Sequence, residues 1–293
     1  MEAVLVIGAG FMGSGIAQVC AQSGYRVHLM DVDPAVLEKA LGSIKWSVEK
    51  LSSKDLLKES PDTILGRITS EKTLESAGEV QWVIEAALEV EDLKKEIFQE
   101  LDRLAPVDTP LASNTSSIPI SRIARITQHP GRVLGLHFFG PVPLMGLVEV
   151  VKGEKTEIKV FDRGVDFVKS LGKTPVRVHR DIPCFVMNRI FAAAFRESVD
   201  LVERGIVSPE DVDVGMKLGY GWNAGPFEIA DNAGLDTYAL IGRAMKALGE
   251  ENFISKSDLI EKMVAEGRVG RKAGKGFYRY TAEGKRVPWD SDD

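Results

Sequence analysis

The sequence predicts an α/β domain built on a mostly parallel sheet, followed by a smaller all-α domain. Three observations predict it. Residues 1–182 alternate short β-rich runs with amphipathic stretches of helical period, the pattern of strands joined by crossover helices. Strand signals stop after that point, and the remainder reads as helices. A glycine pattern, Gly8-Ala9-Gly10-Phe11-Met12-Gly13, sits between the first apolar run and the first amphipathic stretch.

The first strand is residues 4–7, an uninterrupted apolar run, as expected where both faces of a sheet are covered. A helix follows over 11–22 and stops at Ser23-Gly24; residues 26–30 form the second strand. Asp33-Pro34 starts a long helix, with Asp33 as N-cap and Pro34 at the first helical position. Its apolar stripe is Leu37, Leu41, Ile44, Val48 and Leu51. Further strands fall at 82–84, 111–112, 133–137, 148–151 and 175–178, and helices at 90–104 and 156–171. Residues 179–183 form the boundary, giving domains 1–182 and 183–293. Beyond it one helix spans 185–204 and ends at Gly205. Another starts at Ser208-Pro209-Glu210-Asp211, with a serine cap, proline first and an acid three residues on. Two more fit 234–248 and 257–266. Their apolar faces are wide for so small a piece, so the expectation is a homodimer packed through this domain.

Composition narrows the function classes. At 44% hydrophobic and 27% charged, the 293 residues are those of a globular protein, with no disordered or low-complexity part. The net charge of -6 comes without any basic stripe, which argues against nucleic acid and anionic membranes as partners. No apolar run is long enough to span a bilayer. The N-terminus has no basic region before its first strand and no arginine-rich leader, so neither a secretion signal nor a transit peptide is expected. Cys20 and Cys184 stand far apart and match no metal motif; they fit buried thiols in a reducing cytoplasm.

The glycine pattern has the G-x-G-x-x-G form. It follows a strand, opens a helix, and is followed 18 residues after Gly13 by Asp31 at the end of the next strand. That context marks a dinucleotide site of Rossmann type. Gly8 permits the tight turn, Gly10 lets the backbone approach a pyrophosphate, and Gly13 lets helix and strand pack closely, with Phe11 and Met12 between them. The free amides and dipole at the helix start favour the pyrophosphate charge. Asp31 can accept from the ribose hydroxyls. A 2′-phosphate would meet a like charge there with no arginine following, so NAD is favoured over NADP.

Oxidation of an alcohol by a nicotinamide cofactor requires a base for the hydroxyl proton. Of the four histidines, His28 lies within the second strand, His129 in a polar loop, and His179 near the boundary. His137 ends a strand, where open α/β sheets form their ligand crevice, and begins a loop stiffened by two prolines. A lone strand-end histidine is structural as readily as functional. Glu149 stands inside the apolar run Leu147-Val148-Glu149-Val150-Val151. Such a carboxylate either faces solvent on an edge strand or has a partner; paired with His137 it would fix the tautomer and stabilise the imidazolium. The cluster 112–117 follows another strand and serves as turn chemistry or as a substrate-binding hydroxyl. Asn188 lies beside an apolar run near the start of the first C-terminal helix. The histidines and cysteines form no ligand cluster, so no metal is expected.

Together, VIGAGFMGSGIAQ, ASNTSS, LHFFGPVPLMGLVEVV, CFVMNRI, GPFEIAD and GKGFY run in order along nearly the whole chain. This set resembles the 3-hydroxyacyl-CoA dehydrogenase family, especially its stand-alone short-chain, 3-hydroxybutyryl-CoA type. The resemblance implies reversible NAD-dependent oxidation of a short-chain (S)-3-hydroxyacyl-CoA to a 3-oxoacyl-CoA, in fatty acid metabolism such as β-oxidation. It implies that His137 is the base and Glu149 its partner. Ser116 and Asn188 would position the substrate oxygen, and Ser116 would also touch the cofactor. Glu89, Lys94 and Lys272 match positions that line the NAD site. Ser47 and Lys54 match CoA contacts; Lys54 suits a phosphate as a point charge, though it also reads as a solvated helix-end lysine.

Two positions depart from the family pattern. HFFN is HFFG here, so Gly140 replaces an asparagine near the nicotinamide end, and PGF is Pro183-Cys184-Phe185. Neither touches the His137/Glu149 pair. The alternatives are a related dehydrogenase of sugar acids or other free hydroxy acids, and a non-catalytic NAD-binding protein.

Overall fold

The computed structural model describes residues 2–250, 253 and 257–287. The chain divides into two compact units, Met1–Phe185 and Val186–Asp293. In the first, β1 (Ala3–Ile7), α1 (Phe11–Gln22), β2 (Arg26–Met30), α2 (Pro34–Ser52), α3 (Pro61–Leu65), β3 (Ile68–Glu71), β4 (Trp82–Glu85), α4 (Glu91–Leu104), β5 (Leu111–Ser113), α5 (Ile120–Ala124), β6 (Val133–Phe138), β7 (Leu147–Val151), α6 (Ile158–Ser170) and β8 (Thr174–Val178) follow in order. The strands make one sheet in the order β3-β2-β1-β4-β5-β6-β7-β8. All neighbours are parallel except β6 and β7, which a short connection turns antiparallel. The mostly parallel α/β sheet that the alternation predicts is what forms.

Strands β1, β4, β5 and β6 are buried along their whole length, because helices cover both faces. The core gathers Val4, Val6, Ile84, Leu134 and Val150 from the sheet with Ile16, Ile44 and Phe161 from the helices. Helix α2 starts as its cap chemistry dictates: the Asp33 carboxylate accepts from the amide of Ala35, with Pro34 first. It buries Leu37, Ile44 and Val48, while Leu41 and Leu51 stay half-buried. Strand β3 is not anticipated by the alternation. Its Ile-Thr-Ser-Glu run is half-exposed, as an edge strand can be, so it lacks the apolar signal of the central strands. Helices α3 and α5 are five residues each, too short for a helical period to show.

The second unit holds α7 (Met187–Glu203), α8 (Pro209–Tyr220), α9 (Pro226–Ala233), α10 (Leu235–Ala247) and α11 (Leu259–Ala265). Ser208 caps α8 by accepting from the Asp211 amide, and Gly221 ends it in the left-handed region at φ 72°. The all-α expectation needs one amendment, a two-stranded antiparallel ribbon of β9 (Arg279–Tyr280) and β10 (Arg286–Val287). Two residues per strand leave no period to read. Two motifs meet in this unit. Asp231 of GPFEIAD is buried and accepts from the amides of Phe277 and Tyr278 and from the Tyr280 hydroxyl. Gly276 of GKGFY is needed there, since a Cβ would lie 2.2 Å from the Asp231 carboxylate. Buried Asp213 likewise accepts from the Phe227 and Glu228 amides and the Tyr278 hydroxyl. These motifs hold the unit together. No helix among the described residues is long and apolar enough to cross a membrane.

Candidate active site

The strand order reverses between β1 and β4, the point where open sheets bind ligands beyond their strand ends. Gly8 leaves β1 here with φ 90°, and a Cβ on it would meet the Ala86 carbonyl oxygen at 2.6 Å. A Cβ on Gly13 would lie 1.7 Å from the Gly8 carbonyl oxygen, so the close approach of α1 to the turn requires glycine. A Cβ on Gly10 would meet nothing within 4 Å. The backbone there borders open space, with room for a pyrophosphate. Gly10 also starts α1 without a side-chain cap among the described residues, so the first-turn amides suit an external anion.

Asp31 is tied into this turn, accepting from the Ala9 amide at 2.8 Å and the Asp33 amide at 3.1 Å. A carboxylate has about four acceptor sites, so capacity remains for two ribose hydroxyls. Asp33 does the capping of α2 by itself, and Asp31 is not spent on it. These features fit a dinucleotide cofactor.

Next to the turn, a polar network, buried at Glu85 and Lys94 and open to solvent at Glu89, joins β4, α4 and the loop after β5. The Lys94 ammonium lies 2.6 Å from Glu85, 3.3 Å from Glu89 and 3.3 Å from the Ala87 carbonyl oxygen. Glu85 is fully buried and also accepts from the Ser113 hydroxyl and the Ala87 amide. Glu89 accepts from the hydroxyls of Thr115 and Ser117 and the amides of Ser116 and Ser117. Burial pushes Glu89 up, but the Lys94 ammonium and the donors of Thr115, Ser117 and Ser116 outweigh it and hold the carboxyl below its ordinary range. The ammonium donates to Glu85 and to the Ala87 carbonyl and is ion-paired with Glu89. Sequence reasoning missed Glu85. A carboxylate inside the apolar run Trp82-Val83-Ile84-Glu85 is the same signal that singles out Glu149.

His137 and Glu149 meet. The antiparallel pairing of β6 and β7 sets them directly opposite each other, and His137 Nδ1 lies 2.7 Å from Glu149 Oε2. Glu149 is fully buried on an interior strand, not outward on an edge. The imidazole packs beside Phe139 and Phe185, ring centroids 4.6 and 5.7 Å away. Its Nε2 has no partner among the described residues. Asn114 accepts from the Phe138 amide and so ties the end of β6 to the loop after β5. The Ser116 hydroxyl is half-buried and also without a partner among the described residues. The other histidines are accounted for: His28 pairs with Glu71, His129 with Asp102, and His179 packs on Phe161.

A groove of about 810 Å³ runs between α1, α2 and residues 141–144. Ser47 and Lys54 line it, as do Lys39, Lys50 and Trp46. Lys54 is exposed just past the end of α2. Lys50 lies over the Trp46 ring, 4.4 Å from its centroid. In the second unit, Asn188 is the second residue of α7, half-buried, its side chain without a partner among the described residues. Lys272 is held by Asp236 at 2.6 Å.

The two departures have geometric correlates. A Cβ on Gly140 would come within 2.6 Å of the Phe11 ring, so that ring stands where a larger residue at 140 would begin. Cys184 has φ 63°, a conformation glycine adopts without cost and other residues rarely do. Both cysteines are buried, and burial pushes the Cys20 thiol up to about 12, far from a reactive thiolate.

The family profile for the 3-hydroxyacyl-CoA dehydrogenase NAD binding domain matches residues 3–182, and that for the C-terminal domain matches 185–280. The chain is 41% identical over 276 residues to a protein named probable 3-hydroxybutyryl-CoA dehydrogenase in Deinococcus radiodurans, covering 94% of this chain and 99% of that one. It is 42% identical over 285 residues to the mitochondrial hydroxyacyl-coenzyme A dehydrogenase of Homo sapiens, covering 94% and 90%. Among solved structures it is similar to the (S)-3-hydroxybutyryl-CoA dehydrogenase from Ralstonia eutropha, with a TM-score of 0.89, 36% identity, and coverage of 96% and 99%.

Proposed function

The chain belongs to the 3-hydroxyacyl-CoA dehydrogenase family, NAD-dependent enzymes, and we propose that it interconverts short-chain (S)-3-hydroxyacyl-CoA and 3-oxoacyl-CoA with His137 as the acid–base group. The observation that carries this is the buried contact between His137 Nδ1 and Glu149 Oε2. An ionised Glu149 can only accept, so Nδ1 of the neutral ring carries the proton and Nε2 is left with its lone pair. In the oxidising direction Nε2 takes the proton of the C3 hydroxyl. The glycine turn and Asp31 would hold NAD, and the cofactor would supply the hydride acceptor for C3, or the hydride donor in the reverse direction. Glu149 stabilises the imidazolium that forms, and in reverse Nε2 returns the proton to the developing alkoxide.

The other residues position and hold. Gly8, Gly10, Phe11, Met12 and Gly13 form the cradle for the pyrophosphate, and Asp31 takes the ribose. Glu89 faces the cofactor with Ser116 beside it, and Lys94, which donates to Glu85 and the Ala87 carbonyl and is ion-paired with Glu89, lines the same site. Ser116 and Asn188 hold the substrate oxygen. Ser47 and Lys54 hold CoA in the groove, with Lys39 and Lys50 adding positive charge for its phosphates. Lys272 is the least supported cofactor contact, because Asp236 already holds it.

The test mixes the purified protein with acetoacetyl-CoA and NADH, follows loss of reduced nicotinamide absorbance, and repeats with NADPH and with free acetoacetate. The expected result is fast oxidation of NADH with the thioester alone. Turnover of the free acid would favour the hydroxy-acid alternative; NADH binding without turnover would favour a non-catalytic protein. We also propose a homodimer through the helical unit. Leu218 and Tyr220 on and at the end of α8 are 85% and 79% exposed, and Leu240 on α10 is 62% exposed, apolar surface that a second copy would cover. Sedimentation equilibrium should give twice the chain mass; a monomer at high concentration would remove this proposal.

A further inference from the structure

We infer that the carboxamide of Gln18 is a hydrogen-bonding contact for the pantetheine arm of the acyl-CoA substrate. The inference rests on the reading that the groove between α1 and α2 holds CoA. Gln18 is 2% exposed, yet its Nε2 has no hydrogen-bond partner among the described residues. Native interiors seldom leave a buried donor in that state, because its hydration is lost and nothing replaces it. Gln18 is among the residues lining the groove, but its Nε2 has less than 1 Å² of accessible surface, so a ligand reaches that donor only once the carboxamide turns toward the groove. Gln18 sits three residues after Gly15 on the same face of α1. Gly15 packs against the loop that walls the groove: a Cβ there would lie 2.9 Å from Val142 and 3.5 Å from Pro143. The groove is lined by the apolar Ile44, Leu51, Val142 and Leu144 and by the hydroxyl residues Ser14, Ser43 and Ser47, none of which accepts from Gln18 Nε2.

A matching ligand therefore has two parts. One is anionic and suits the lysines along α2. The other is a slender chain that brings an amide carbonyl to one buried N–H between aliphatic walls. The pantetheine arm carries two amides between the pyrophosphate and the sulfur. A free short-chain acid has no amide, and a nucleotide alone does not reach beyond its phosphates.

The test is calorimetric binding of two probes without NAD or NADH: CoA itself, and adenosine 3′,5′-bisphosphate, which keeps an anionic end but lacks the arm. Gln18→Met removes the donor at similar length. Loss of one neutral hydrogen bond should weaken CoA about 10-fold, leave the bisphosphate unchanged, and leave Tm at or above wild type because no protein bond is lost. Gln18→Leu, also without the amide donor and uncharged, should give the same CoA-to-bisphosphate ratio if the methionine variant fails to fold. Unchanged CoA affinity, equal weakening of both probes, or a lower Tm with unchanged CoA affinity would overturn the inference. Lys54→Ala separates the two levels. If it weakens CoA while Gln18→Met does not, only the role of Gln18 falls; if it leaves CoA unchanged, the groove reading falls and takes Gln18 with it.

Discussion

Replacing His137 with alanine should lower kcat by roughly 10²- to 10⁴-fold, the range for loss of a general base, with little change in NADH affinity. His137 is buried at the end of β6 and paired across the antiparallel register with Glu149, whereas the glycine turn and Asp31 lie at the β1/β4 reversal and do not depend on the imidazole. Steady-state kinetics with acetoacetyl-CoA, together with NADH fluorescence titration, measure the two quantities separately. Activity near wild type would remove His137 from the chemistry. Glu149→Gln should fall in between. A glutamine oxygen can still accept from Nδ1 and keep the tautomer, but it carries no charge to stabilise the imidazolium. Its kcat should therefore drop less than that of His137→Ala.

The second large effect is on stability. Lys94→Met should cost about 3–5 kcal/mol, because it leaves Glu85 as a buried carboxylate without its countercharge. Lys94 is 1% exposed and Glu85 0%, so water cannot take the place of the lost ammonium without opening the structure. Urea unfolding followed by circular dichroism measures this. The double variant Lys94→Met/Glu85→Gln should recover a substantial part, since the orphaned charge is gone. A single variant as stable as wild type would mean that the network is not the closed ion pair described. The same change bears on acid stability. Glu89 is held below its ordinary range with Lys94 the strongest favourable influence, so its contribution is present above the unfolded carboxylate range and is lost as pH falls through its lower folded value. Without Lys94 that loss should begin at a higher pH, visible as an acid transition shifted upward.

Much of the architecture is legible in the chain. Apolar runs bounded by turns mark the central strands, since a sheet covered on both faces tolerates nothing else. Asp33-Pro34 and Ser208-Pro209 mark helix starts because their side chains and fixed φ do the capping themselves. Edge strand β3 and the two-residue ribbon strands escape, because exposure and shortness remove the pattern. In the site, the glycine spacing and Asp31 can be read directly, since both ends of that constraint lie within one βαβ unit. Gln18 reads from sequence as one more polar residue of α1; only the packing of α1 on residues 141–144 shows that its amide is buried without a partner.

By itself the sequence determined the α/β and helical order, the dinucleotide turn, the preference for NAD, and the candidate residues His137 and Glu149, because each depends on local spacing or on the type of a single residue. Only the tertiary structure decided that His137 and Glu149 face each other, that Glu85 and Glu89 share one ammonium, and that Glu89 gathers the amides beside Ser116. The contacts of His137 with Glu149 and of Glu89 with the loop after β5 join residues 12 to 28 apart and depend on strand register and on which faces of the sheet are covered, and many registers are compatible with one pattern of apolar runs until the whole core closes around one of them. The Lys94 contacts are closer in sequence, but they depend on how the loop after β4 turns into α4, which no local pattern fixes.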